Sequence, residues 1–211
     1  MQFDFAELSA KDRYKLMVST ILPRPIAWVV TQSAAGLVNA APYSFFNGVG
    51  GDPPLISISI EGRGDGSRKD TSVNIRGSSQ FVVNLVSDAV AHDMVVTAID
   101  FAPDVSEVAE ARLTTTPSVL VKPPRIAESP VAFECELYRI VDLPHDRDLV
   151  IGRILCMHVA DEAVQDAERC YIDTPKLDLV GRMHGGGWYS RTRDQFEVPR
   201  IPVADWRRQA K

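Results

Sequence analysis

The sequence has few residues of the kinds that build disulfide frameworks and metal centres. Its three cysteines, Cys135, Cys156 and Cys170, form no CxxC pair, and their odd number is a poor basis for a disulfide framework. The four histidines lie far apart without HExxH or similar ligand spacing. We therefore expect reduced, mostly buried thiols and no bound metal.

Long apolar runs and clustered positive charge are missing as well. No apolar run approaches the ~20 residues that a membrane-spanning helix needs, and the first residues have neither the basic segment nor the apolar core of a signal peptide. The formal net charge is −5, whereas surfaces that bind nucleic acids or anionic membranes need clustered Lys and Arg. We expect a cytoplasmic protein without nucleic-acid or membrane partners.

The composition that remains is typical of a loop-rich β protein. The 211 residues are 45% hydrophobic and 24% charged, with 13 glycines and 14 prolines. This length suits one domain over residues 1–211. Residues 191–211 alternate Arg, Asp, Pro and bulky apolar groups without a helical period, so we expect an extended C-terminal arm on a partner subunit, contacted through Phe196, Ile201 and Trp206.

The segment Leu22–Ile60 carries the clearest pattern. Three apolar stretches, Ile26–Thr31, Val38–Tyr43 and Leu55–Ile60, predict short strands separated by turn residues. The tract Ser44–Gly48 between the second and third strands combines two phenylalanines with Ser, Asn and Gly. It can offer aromatic contacts and backbone N–H donors, which a flat heteroaromatic ring needs.

A candidate phosphate site follows in the stretch RKDTSVNI, residues 68–75. Asp70 is a suitable N-cap for a short helix over Thr71–Arg76, and Gly77 can end it. The free N–H groups of the helix start, the Lys69 ammonium and the first helical hydroxyl would then converge on one spot that favours phosphate. We interpret the glycine-rich loop 61–67 before it as a connector without chemistry.

The rest of the chain supplies elements to which we assign structural roles. They are a helix capped by Ser9, a buried strand Gln80–Leu85, helices Asp88–Thr97 and Val105–Ala111, and a hairpin whose second strand is Leu149–Val159. A hairpin turn centred on His145–Asp146 would place Cys135 opposite Cys156. We interpret His158 on the second strand as a structural histidine.

Several segments together resemble the flavin reductase-like family of FMN-binding split β-barrels. The runs PRPIAWV, NAAPYSFFN, DPPLISISI, RKDTSVNI and FVVNLV occur in the family's order, and later segments extend the likeness to about Gly187. The resemblance implies a mainly β fold with short helices, a split β-barrel of Greek-key type. It also implies a homodimer that holds FMN, or alternatively FAD, near the subunit interface.

The resemblance and the residue chemistry together give a set of candidate cofactor-binding residues. These are Tyr43, Ser44, Phe45, Phe46, Asn47, Arg68, Lys69, Asp70, Thr71 and Asn74. Arg24 is a further candidate, for which a surface salt bridge is an equally good interpretation. His184 and Tyr189, which flank three glycines, are candidates for the nicotinamide side of the flavin, and the alternative is a loose approach to the tail.

The function implied by the resemblance is flavin reduction by NADH or NADPH. Hydride would pass to N5 of the ring while negative charge grows at N1 and the C2 carbonyl, so backbone N–H groups around Ser44–Asn47 would matter and no side-chain acid or base is required. Reduced flavin could then serve a partner monooxygenase. Two alternatives stay open, since fold alone does not fix function. They are a non-enzymatic flavin- or haem-binding carrier and a flavin-dependent oxidase of the pyridoxamine-phosphate oxidase type.

Overall fold

The computed structural model describes residues 1–209 and is mainly β with short helices, as predicted. The strands are β1 Ala27–Gln32, β2 Val38–Tyr43, β3 Phe46–Gly51, β4 Pro54–Ile60, β5 Gln80–Leu85, β6 Thr115–Thr116, β7 Arg125–Ile126, β8 Val131–Leu143, β9 Arg147–Val159, β10 Val164–Asp166, β11 Tyr171–Ile172, β12 Val180–Arg182 and β13 Tyr189–Arg191. The α-helices are α1 Ala10–Thr20, α2 Asp70–Ser78, α3 Ala91–Val96, α4 Glu107–Glu110 and α5 Val203–Gln209. Short 3₁₀ turns cover Asp88–Val90, Asp161–Ala163 and Thr174–Leu177.

Seven strands form one antiparallel sheet in the order β2-β1-β5-β8-β9-β4-β3. The two edge strands of this sheet, β2 and β3, are joined by only Ser44 and Phe45. Two residues can bridge the edges only if the sheet curls until they lie close together, which gives a barrel that is split between β2 and β3. The Ser59 amide donates to the Phe45 carbonyl at 2.9 Å and fixes the crossing.

The core lies on both faces of the curled sheet because alternate residues of a strand point to opposite sides. On β1, Trp28 and Val30 pack in a cluster that also contains Met94 of α3. Val29 points the other way, into a cluster with Phe81 of β5. This burial of β1 on both faces explains its continuous apolar run.

The structure confirms one predicted helix start and corrects another. Ser9 caps α1, with its hydroxyl accepting the Asp12 amide at 3.1 Å. The N-cap of α2 is Lys69 instead of Asp70, whose carboxylate is bonded to Arg63 at 2.5 Å. This helix also continues past Gly77 to Ser78, and Ser79 ends it with a φ of 58°.

The β8–β9 hairpin overturns the predicted cysteine pairing. Its tight turn pairs Leu143 with Arg147, and an irregularity between Leu137 and Arg139 shifts the register by one further residue. A second irregularity, between Cys135 and Glu134, shifts it back. Cys135 therefore lies opposite Ile154, and Glu134 lies opposite Cys156. All three cysteines are free thiols, of which Cys135 is buried, Cys156 is half-buried and Cys170 is exposed.

Three further elements differ from the sequence prediction. The predicted helix Val105–Ala111 is shortened to α4, Glu107–Glu110, and the tract after Ser44 continues into strand β3. The arm contains helix α5 in addition to its extended part, and the last two residues of the predicted arm lie outside the described residues. None of the described helices is both long and apolar enough to cross a membrane.

Candidate functional site

The split between β2 and β3 opens onto two adjoining pockets, which we call the edge cleft. One pocket of about 180 Å³ is lined by Tyr14, Pro42, Tyr43, Ser44, Phe45, Ser59, Glu61, Lys69 and Arg147. The other, of about 160 Å³, is lined by Asn39, Ala41, Pro42, Tyr43, Arg63, Lys69, Asp70, Thr71, Thr97, Ala98, Ile99, Asp100, Phe101 and Glu107. Pro42, Tyr43 and Lys69 line both pockets and form their common wall.

The N-terminus of α2 borders the cleft and presents unpaired backbone donors. The amides of Ser72 and Val73 both bond to the Lys69 carbonyl, but those of Asp70 and Thr71 have no acceptor among the described residues. Free N–H groups and the positive end of the helix dipole favour an anion at this point. The start of α2 therefore has the free backbone donors that the predicted phosphate site requires.

Two cationic side chains, Lys69 and Arg63, lie at this end of the cleft. The Lys69 ammonium contacts the Asp100 carboxylate at 3.1 Å, and the Asp100 side chain is 76% exposed. Such an exposed pair contributes only about 0–1 kcal/mol, so Lys69 can exchange this partner for a phosphate at little cost. Arg63, paired with Asp70, was missed because the sequence shows it only as one arginine between glycines of a loop.

Tyr43 provides the least satisfied group in the cleft. Its hydroxyl is buried and makes no hydrogen bond of normal length to the described residues. Burial raises the pKa of this phenol above its ordinary value, and the neighbouring Thr71 hydroxyl opposes that shift. An orphaned buried hydroxyl carries a desolvation cost of about 1–3 kcal/mol. A ligand with a polar atom at the junction of the two pockets would remove that cost.

The hydroxyl of Thr71, which we predicted to bind phosphate, is hydrogen-bonded to another side chain at the cleft. It donates to the Asn39 side-chain carbonyl at 2.9 Å, and the Asn39 amide donates to Glu107 at 2.9 Å. Burial raises the pKa of Glu107. Asn39 and Glu107 were missed because their positions on β2 and α4 are far apart in the chain, and only the fold brings them to the floor of the cleft.

The aromatic tract is divided between the cleft and the sheet. Ser44 and Phe45 line the cleft, and the Phe45 ring lies 6.4 Å from that of Tyr14 on α1. Phe46 and Asn47 belong to β3 and line neither pocket. The Asn47 side chain is exposed and accepts the Gly48 amide at 2.8 Å.

Arg68 and Asn74 also lie outside the edge cleft. Arg68 is paired with Asp142 at 3.1 Å and with Asp148 at 3.3 Å. Asp148 is fully buried, and although burial alone would raise its pKa, hydrogen bonds from Arg76 and Ser72 lower it. The Asn74 side-chain amide donates to the Thr31 hydroxyl at 3.0 Å. Asn74 lines a separate pocket beside the β1–β2 turn.

Arg24 is buried behind the cleft, where it bonds to several elements, instead of lying on the surface. Its guanidinium donates to the carbonyls of Val18 at 2.8 Å, Ile21 at 3.0 Å and Met183 at 2.6 Å. Its Nε also reaches the Ser44 hydroxyl at 3.3 Å. Arg24 thereby fixes the end of α1 and the strand-to-loop junction at Met183 relative to the cleft.

A third pocket of about 630 Å³ adjoins the cleft at Ala98. Tyr189 lines it, with the Arg182 guanidinium 4.7 Å above the Tyr189 ring. His184 does not line this pocket, and its ring packs 5.6 Å from that of Trp188. Of the two predicted nicotinamide residues, only Tyr189 therefore faces a space that a second ligand could enter.

The curled sheet and its cleft define a split β-barrel protein with one site that combines aromatic rings, unpaired amides and cations. A family model described as a flavin reductase like domain matches residues 18–182. The chain belongs to this flavin reductase-like family, which confirms the resemblance found in the sequence.

Solved structures agree with this assignment. The 2-nitrobenzoate 2-nitroreductase NbaA of Pseudomonas fluorescens is 36% identical with a TM-score of 0.88, covering 96% of this chain and 97% of that one. Component B of nitrilotriacetate monooxygenase from Bacillus cereus is 34% identical with a TM-score of 0.88, covering 94% and 98%. A putative flavin reductase with a split barrel domain from Shewanella frigidimarina, 23% identical with a TM-score of 0.81 over 95% and 100%, shares the fold.

Proposed function

We propose that this protein is a flavin reductase that holds FMN in the edge cleft and reduces it with NADH or NADPH. The FMN phosphate is placed at Lys69 and the amides of Asp70 and Thr71, and the ring at Tyr43–Phe45. The observation that carries the proposal is the orphaned Tyr43 hydroxyl at the junction of the two pockets. An anion site lies on one side of it and an aromatic wall on the other.

The residues of the cleft bind and orient the cofactor without acting as acids or bases. When bound, FMN supplies a ring that takes up hydride at N5, with negative charge growing at N1 and the C2 carbonyl. Arg147 donates to the Ser59 hydroxyl at 3.3 Å and is ion-paired with Glu61, and both charged side chains line the ring-side pocket. We propose that Arg147 stabilises this growing charge together with the backbone amides of the Ser44–Phe45 crossing.

We place the nicotinamide in the third pocket, which reaches the cleft at Ala98. Tyr189 can then stack on the donor ring, whereas His184 acts indirectly through Trp188. Tyr189→Ala is expected to raise KM for the nicotinamide about tenfold, equivalent to about 1.4 kcal/mol, while FMN affinity stays unchanged. His184→Ala should have the smaller effect. If wild type and both variants had equal kinetics, the proposal that the nicotinamide binds in this pocket would be contradicted.

The deciding experiment is anaerobic mixing of the purified protein with NADH or NADPH while the flavin absorbance is followed. Prompt bleaching of an oxidised-flavin spectrum is expected. A yellow protein whose spectrum does not change would favour the flavin carrier, and an absorbance typical of haem would favour the haem-binding version. Peroxide release under air with an organic amine or alcohol, but not with nicotinamide alone, would favour the oxidase.

A second candidate function is direct reduction of a nitroaromatic acid. Its support is the 36% identity to a 2-nitrobenzoate nitroreductase together with the third pocket, where Trp188, Tyr189 and Arg182 can receive an aromatic carboxylate. Under NADPH or NADH, loss of 2-nitrobenzoate absorbance in proportion to nicotinamide consumed would establish it. Nicotinamide consumption that depends on added FMN alone would favour the flavin reductase.

We further propose a homodimer and, following the similarity to a monooxygenase component, a partner enzyme that consumes reduced flavin. Strand β3 ends the sheet with an exposed edge, and Val49 on it is 55% exposed. Phe196, Ile201 and Trp206 of the arm are exposed as well. Unpaired strand edges and exposed apolar side chains are normally covered by another part of the protein or by a partner. Sedimentation should show a dimer that Val49→Lys weakens, and a wild-type monomer with bound FMN would contradict the proposal.

A further inference from the structure

A second group of ligand atoms lies on the β8–β9 hairpin, apart from the edge cleft. The His158 Nε2 atom is 2.6 Å from Glu134 Oε1 and 3.7 Å from the Cys156 sulfur. One ligand atom from each of the three side chains lies within 4.8 Å of the other two. None of the three residues lines either pocket of the cleft.

The fold brings these side chains together through the register of the hairpin. Glu134 lies directly opposite Cys156, and His158 is two residues further along β9 on the same face. This pairing has the register that the turn sets by placing Leu143 opposite Arg147, because the two irregularities along the hairpin cancel before Glu134. The sequence shows no metal-ligand motif because Glu134 lies on one strand and Cys156 lies 22 residues later, on the next strand.

Glu134 is the carboxylate of a built site. It is fully buried and accepts the backbone amides of Val119 at 2.8 Å, Leu120 at 2.6 Å and Val121 at 3.2 Å. Carboxylates that bind metals are typically held by such hydrogen bonds. The His158 side chain is 24% exposed, so an ion has a route from solvent.

The spacing of the ligand atoms suits a tetrahedral ion. With metal–sulfur and metal–nitrogen bonds of about 2.3 and 2.0 Å, tetrahedral geometry separates the two ligand atoms by about 3.5 Å. The observed Cys156–His158 separation of 3.7 Å is close to this value. The His158–Glu134 separation of 2.6 Å is shorter than the roughly 3.3 Å expected of two tetrahedral ligands and would have to open by about 0.7 Å. Rotation of the partly exposed His158 ring can provide this shift.

We propose that Glu134, Cys156 and His158 bind a zinc-class divalent ion, with water as the fourth ligand. The mixture of thiolate, imidazole and carboxylate favours zinc or cobalt over calcium or magnesium. Binding releases the Cys156 thiol proton to solvent. It also replaces the hydrogen bond between His158 and Glu134, and the Nε2 proton of that bond goes to solvent or, if the ring is neutral, is exchanged for one on Nδ1. The ion then ties β9 to the segment Val119–Val121 through Glu134.

The test asks whether a bound metal protects the thiols from alkylation. The whole chain is first freed of metal with a chelator, and alkylation of each cysteine is then measured by mass spectrometry with and without zinc. Zinc should slow alkylation of Cys156 while leaving exposed Cys170 unaffected. In calorimetric titrations with zinc, Cys156→Ser and His158→Gln should each weaken binding about 100-fold or more, and Cys170→Ser should bind like wild type. Cobalt bound to the flavin-free protein should give a thiolate-to-metal absorption band that Cys156→Ser abolishes.

Two results would overturn the proposal. One is alkylation of Cys156 at the same rate with and without zinc, which would leave the group as a simple His158–Glu134 ion pair beside a thiol. The other is zinc affinity that Cys156→Ser leaves intact. Cys156 makes only weak contacts in the metal-free protein, so this variant is expected to fold, and circular dichroism and thermal unfolding verify that it does.

Discussion

Replacement of Lys69 by alanine tests the phosphate end of the proposed flavin site. Lys69 is the cation that lines both pockets of the edge cleft, and its present partner is the exposed Asp100 carboxylate. A charge-assisted hydrogen bond to phosphate contributes about 1.5–3 kcal/mol. Breaking the pair with Asp100 costs about 0–1 kcal/mol, so the net loss in Lys69→Ala should be about 1–2 kcal/mol, or roughly 5- to 30-fold in FMN affinity.

The measurement compares FMN with riboflavin, which has the same ring without phosphate. Titration of flavin-free protein, followed by quenching of flavin fluorescence, should show the loss for FMN and almost none for riboflavin. Asp100→Asn removes the competing carboxylate and should tighten FMN up to about fivefold. Lys176, an exposed lysine paired with Asp173 outside the cleft, provides a matched control, and Lys176→Ala should bind both flavins like wild type.

The reasoning would be refuted by equal losses for FMN and riboflavin in Lys69→Ala. That result would mean that the lysine supports the ring or the fold instead of the phosphate. A loss for FMN that persists unchanged in high salt would also be unexpected, because Lys69 is partly exposed and its charge should be screened.

Three other substitutions test the cleft and its supports. Tyr43→Phe removes the orphaned hydroxyl, so the unliganded protein should keep its stability while FMN and riboflavin both bind about two- to tenfold more weakly; unchanged affinities would show that the hydroxyl does not meet the ligand. Asp148→Asn should cost about 3 kcal/mol of unfolding free energy at pH 7. The pKa of Asp148 is lowered in the folded protein, so its contribution to stability is present above the unfolded pKa near 4 and is lost as the pH falls through the folded pKa. In urea titrations, the unfolding free energies of wild type and Asp148→Asn should therefore become equal in acid. Gly152→Ala would place a Cβ 2.4 Å from Phe81 Cζ; it should cost about 1–3 kcal/mol, and Phe81→Leu should relieve part of the loss in thermal melts.

Strands with continuous or alternating apolar patterns were predictable from the sequence. The predicted segments at β1, β2 and β4 agree with the structure within a residue or two. Strand β3, with the sequence FNGVGG, was missed because glycine and asparagine have low strand propensity. It forms because β4 offers a pairing edge directly after it in the chain, and no local pattern encodes that pairing.

Positions that depend on a distant partner could not be predicted. Asp70 has the chemistry of an N-cap, but the ion pair with Arg63 removes its carboxylate from that role. Arg68 has the chemistry of a phosphate ligand, but buried Asp148, 80 residues further along, draws it away from the cleft. The N-cap prediction for Asp70 was wrong, and Arg68 lies outside the edge cleft, because the fold brings an opposite charge close to each side chain.

The position of the edge cleft follows from the connectivity of the sheet. The chain crosses from one edge of the barrel to the other through Ser44 and Phe45, so the residues beside this crossing cannot be covered by a neighbouring strand. Tyr43 ends β2 at that point, and the start of α2 reaches the same opening because Lys69 lines both pockets. The Tyr43 side chain packs against a cluster of the barrel core, which holds it at the opening. The barrel therefore keeps an opening that joins an aromatic wall to a helix N-terminus, and a ligand with a flat ring and a phosphate is complementary to both of its ends.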